Sequence, residues 1–104
     1  MTKSYATIAL LLAATACNRP QKSCTFDNNG HHFCIEWRGY TAQELSSMVC
    51  GGKIEEGRAC DRKGAIGYCI VKDEKGHENH DFSYDQAHGP SSCPSPYVWV
   101  PLTP

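Results

Sequence analysis

The chain has 104 residues, room for one small domain, and a formal net charge of −1, which is no electrostatic footprint for nucleic acid. An apolar share of 40% excludes a chain disordered by composition. Seven cysteines in so short a chain point instead to a disulfide scaffold, which a domain with little core to bury needs for stability.

The first 16 residues carry a single charge, Lys3, followed by an uncharged run with Ile8 and Leu10, Leu11 and Leu12 and then the small residues Ala13, Ala14, Thr15 and Ala16. This is the pattern of a secretory signal peptide. The apolar run is about half the roughly 20 residues a bilayer-spanning helix requires. It also lacks the polar face of an amphipathic core helix.

The stretch Ala14-Thr15-Ala16-Cys17 resembles the lipobox of bacterial lipoproteins, although Ala14 stands where that family prefers leucine. The resemblance implies a diacylglycerol thioether on Cys17, cleavage just before it and acylation of the new amino group. It covers the first 17 residues only. Ala-Thr-Ala also reads as an Ala-x-Ala site for the ordinary signal peptidase, which would cut the same bond. Counting cysteines favours lipid: with Cys17 acylated, Cys24, Cys34, Cys50, Cys60, Cys69 and Cys93 remain, an even set able to form three bridges in any of fifteen pairings. The expected organisation is a signal peptide over 1–16, a lipid-anchored tether over 17–23, and a disulfide-rich domain over 24–104 with a proline-rich tail.

Within the body, Asp27-Asn28-Asn29-Gly30 is a turn signal between strands over 23–26 and 32–37. A three-residue loop at 28–30 would set Cys24 opposite Cys34, where a bridge is geometrically possible. Thr41-Ala42-Gln43-Glu44 is a capping box. Leu45, Met48 and Val49 follow as an apolar stripe and Gly51-Gly52 as a stop, which predicts a helix over 42–50. Residues 53–64 are polar and read as a surface loop pinned by Cys60. Residues 65–72 read as a central strand, 73–76 as a hairpin loop with Gly76 left-handed, and 77–84 as the returning strand with Phe82 and Tyr84 on one face. The tail is irregular and tied at Cys93, with residues 97–100 as a short edge strand or a cover for the core. The fold class expected is α+β, a short antiparallel sheet packed with one helix. Cys50-Gly51-Gly52 and Gly67-Tyr68-Cys69 resemble features of other short cysteine-rich bacterial lipoproteins, a resemblance that implies no activity.

No Cys-x2-Cys pair occurs, which argues against zinc ribbons and thioredoxin-type redox chemistry. No serine sits in a nucleophile-elbow motif and no glycine-rich loop follows a strand. The acid pairs Glu55-Glu56 and Asp73-Glu74 read as solvated surface. The histidines His31, His32, His77, His80 and His88 are the candidates for chemistry. On a strand His77 and His80 point to opposite faces, so a metal site would need His31 or His32 brought alongside by the fold. The reading therefore assigns no catalytic residue, no metal and no cofactor. It expects a non-enzymatic lipoprotein of the outer membrane or cell surface, bound to the membrane through covalent lipid and serving as an envelope or protein-binding component of no assigned specific role. Behind it stand a secreted inhibitor or toxin presenting Arg58 on the 53–64 loop, and then a small enzyme or metal carrier.

Overall fold

The computed structural model describes residues 19–102; the segment read as a signal peptide and Cys17 lie outside the described residues. The elements run β1 (Lys22–Asn28), β2 (His31–Arg38), α1 (Ala42–Ser46), β3 (Lys53–Glu56), β4 (Gly67–Lys72), β5 (Glu78–Ser83), two one-turn 3-10 helices at Gln86–His88 and Pro90–Ser92, and β6 (Val98–Pro101). All six strands form one antiparallel sheet in the order β3-β1-β2-β5-β4-β6. Among the described residues, no helix is long and apolar enough to cross a membrane.

The β1–β2 turn sets the register of everything beside it. Asn29 (φ 53°) and Gly30 (φ 79°) are both left-handed, the two-residue turn that matches strand twist. The loop is thus one residue shorter than expected, and Cys34 faces Thr25 while Cys24 faces Ile35. Because side chains alternate, that single step puts the two cysteines on opposite faces of the sheet. A Cys24–Cys34 bridge is therefore excluded. The bridges are Cys24–Cys50, Cys34–Cys60 and Cys69–Cys93, with Cα atoms 5.9, 5.9 and 5.6 Å apart.

The capping box forms as its residues dictate: the Glu44 amide donates to the Thr41 hydroxyl and the Thr41 amide to the Glu44 carboxylate. The helix then stops at Ser46, where residues 42–50 were expected. Ser46 and Ser47 turn their hydroxyls back onto the carbonyls of Gln43 and Glu44, a local alternative to continuing the helical ladder. Val49, expected on the buried stripe, is 90% exposed. With no buried residue, α1 covers no sheet, and the domain is a sheet protein with little helix instead of the expected helix-on-sheet packing. Residues 53–56, expected as loop, pair with β1 as an edge strand, since Ile54 and Glu55 alternate across it. At the other edge, 98–101 form β6 against β4. Both edges are only four residues long, which limits their use as templates for pairing with another chain. β1 begins at Lys22, within the segment read as tether.

Loops rather than a helix cover the two faces. On one, Cys60 and Ala65 pack with Cys34 and Phe82, flanked by Tyr68, Tyr84 and Leu102. This face also buries Glu36 completely. One of its oxygens accepts from the Arg38 guanidinium at 2.6 Å and the other from the Cys60 amide at 2.7 Å, so the carboxylate secures the covering loop beside the Cys34–Cys60 bridge.

Two stability losses follow. Replacing Cys34 and Cys60 together by alanine removes a crosslink spanning 26 residues, worth about 3.5 kcal/mol in loop-closure entropy, and urea unfolding should register at least that loss. Glu36→Ala removes the acceptor of the Cys60 amide and the counter-charge of Arg38, and should cost about 3–5 kcal/mol in the same measurement.

Candidate functional site

The opposite face, which carries Cys24 and Cys69, is where the chain leaves a concavity. After β5 the chain turns back over this face in its two 3-10 turns. Cys93, closing the second, bridges to Cys69 on β4. The first carries His88 onto Phe33, edge to face with ring centroids 4.8 Å apart. Between these turns, the sheet and Trp99 remains a hollow of about 240 Å³, lined among others by Phe26, Phe33, Ile35, Asp81, His88 and Trp99. Phe26 and Phe33 stack at 5.3 Å, a cross-strand pair that the β1–β2 register places opposite each other. Trp99 lies across Gly67, where any Cβ would collide with its ring, so the glycine is what lets the indole lie flat on the sheet.

Asp81 sits among these apolar groups, between Ile35 on β2 and Cys69 on β4. Its Oδ1 is buried and has no hydrogen-bond partner. Burial raises its pKa from 3.8 to about 6, because an ionised carboxylate loses water there without gaining a donor.

At the rim stands a group of three. His31 opens β2, and Asp85 caps the first 3-10 turn, accepting from the His88 amide. The Asp85 carboxylate reaches both rings, His31 Nδ1 at 2.6 Å and His88 Nδ1 at 3.1 Å, and the rings meet edge to face at 4.6 Å. Hydrogen bonds from His31 and then His88 hold Asp85 below the usual carboxylate range. The three residues offer donor atoms all within 4.8 Å of one another. The fold thus carries His31 alongside His88 and not alongside His77 or His80, the pair from which the sequence reading started. Sequence reading did not single out Asp85. The signal available was its place three residues before His88, which sets both on one side of a single turn once the segment coils.

The remaining histidines are held separately. His32 meets Asp27 at 2.9 Å. His77 stacks on Tyr40 and bridges Glu44 at 2.8 Å and Asp73 at 2.6 Å, which ties α1 to the β4–β5 turn. His80 is buried on the Cys34 face, bonded to Glu78 at 2.6 Å and stacked on Tyr68. Each of the five therefore has a carboxylate for its partner. The six bridged cysteines present no thiol. Arg58 is exposed and paired with Glu55 at 3.4 Å. The arrangement is that of a preformed apolar hollow with one carboxyl inside and a polar rim, the general form of a binding site. The chain has no match among protein-family models, curated proteins or solved structures.

The sign of the Asp81 effect is fixed by its shift. Unfolded, the group ionises near 3.8; folded, near 6. The unfolded state thus binds fewer protons between those values, and stability falls as pH rises from about 4 to 6. Asp81→Asn removes this slope. It should stabilise the protein on the order of 2–3 kcal/mol at pH 7 and leave it unchanged near pH 3, as read from urea unfolding across pH.

Proposed function

We propose that this chain is an exported, lipid-anchored component of a bacterial cell envelope, in which Cys17 carries the lipid and the stapled sheet is a non-enzymatic binding domain. The observation that carries the reading is the cysteine arithmetic. Three bridges use six of the seven cysteines, and the one left over is the residue that ends the lipobox-like stretch. An oxidised domain also agrees with export, since such bridges persist outside the reducing cytoplasm.

Two or three acyl chains on Cys17 bind the membrane stably, with about 0.8 kcal/mol from each buried CH₂. The first strand, β1, starts at Lys22, five positions after Cys17, so the sheet is held close to the lipid surface. Asn18, which is not the aspartate that retains some lipoproteins in the inner membrane, favours the outer membrane or cell surface. The binding part of the proposal rests on the hollow beside Trp99, a concavity into which a protein partner inserts a side chain.

Intact mass of the protein from the membrane fraction tests this. The expected value exceeds that of residues 17–104 by a diacylglycerol and an acyl group, with six hydrogens gained on reduction. Cys17→Ser should move the protein to the soluble fraction with its three bridges intact. An unmodified wild-type protein in the soluble fraction would overturn the lipoprotein reading and favour a secreted effector.

A further inference from the structure

We propose that His31, Asp85 and His88 form a binding site for one borderline divalent cation of the Zn²⁺ class. This holds independently of lipid on Cys17. Two imidazoles and one carboxylate are a donor set suited to zinc, copper, nickel or iron, whereas calcium and magnesium prefer oxygen alone. The three donors come from separate parts of the chain, His31 and Asp85 being 54 residues apart, and the fold brings them within 4.8 Å of one another. Ligands bound at about 2.1 Å in a tetrahedron stand roughly 3.4 Å apart. The contacts of 2.6 and 3.1 Å between the Asp85 oxygens and the two rings are shorter than this and the widest donor separation, within 4.8 Å, is longer, so shifts of about 1 Å bring the three to such spacings.

The supports of the site are rigid. His31 pairs with Asn28 across the β1–β2 hairpin. The His88 turn is capped by Asp85, packed on Phe33 and followed by the Cys69–Cys93 bridge. Such fixed supports reduce the ordering that metal binding would otherwise require. Asp85 places its carboxylate between the two rings, within reach of both. In the absence of metal, that carboxylate is the group that keeps two rings in edge-to-face contact. Three protein ligands leave a fourth position for water or another donor, the form of an open metal site. Because His88 also lines the hollow, an ion held here stands at its mouth.

The test is calorimetric titration of the full-length, oxidised protein in detergent with ZnCl₂ and, separately, MgCl₂. One Zn²⁺ per chain is expected, with no response to Mg²⁺. His31→Gln and His88→Gln should each weaken Zn²⁺ binding by about tenfold or more, and the double variant should abolish it. His32→Gln and His77→Gln, which alter histidines outside the group, should leave it unchanged. In the wild-type protein, imidazole NMR signals of His31 and His88 should move on titration while those of His77 and His80 stay in place, a readout that depends on no variant folding. Failure to bind Zn²⁺, binding that survives in the double variant, or ring shifts confined to other histidines would each overturn the proposal.

Discussion

The register of one hairpin governs this domain. Asn29 and Gly30 close β1 onto β2 in a two-residue turn, and the step this imposes sends Cys24 to one face of the sheet and Cys34 to the other. Each then bridges to a cysteine 26 residues further on, so neighbouring strands are stapled to different covering segments on opposite sides. A turn longer by one residue would aim both cysteines at the same face and leave one covering segment untied. With so little helix among the described residues, these bridges do much of what layered packing does in larger domains.

The two faces put that constraint to different uses. Under the Cys34–Cys60 bridge the sheet is closed: Phe82 and Glu36 are fully buried, and the Glu36 carboxylate gives the covering loop an acceptor as well as a covalent tie. Removing a single partner from such a buried pair costs more than the pair contributes, because the remaining charge or donor is left in a low-dielectric interior. On the Cys24 face the cover is incomplete. The 3-10 turns fixed by Cys93 reach only part of the way, and Phe26, Phe33 and Trp99 surround the space left over. Asp81 is tolerated there with its pKa raised by burial, at a cost to stability.

Carboxylates set the behaviour of every histidine in the domain. His77 between Glu44 and Asp73 secures a short helix that buries nothing of its own. His80 beside Glu78 belongs to the closed face. At the rim of the hollow the relation is reversed, with one carboxylate serving two imidazoles. That ratio, two neutral-capable nitrogen donors to one anion, separates the rim from the other pairs and makes it suited to a cation.

Much of the local structure is legible in the amino-acid sequence because its causes lie within a few residues. The capping box at Thr41 and Glu44, the alternation through Phe33, Ile35 and Trp37, the presence of a turn within residues 27–30 and the left-handed Gly76 each follow from neighbouring side chains and backbone preferences. Evenness of the six body cysteines is likewise a matter of counting. What tertiary structure alone decided is whatever depends on register and on distant partners. Cysteine pairing turned on a one-residue difference in loop length that composition does not encode. β3 formed because β1 offered an unpaired edge. The grouping of His31 with Asp85 and His88 required β2 and the 3-10 turn to meet across more than 50 residues of chain, and no periodicity or spacing acts over that distance; only the folded sheet does.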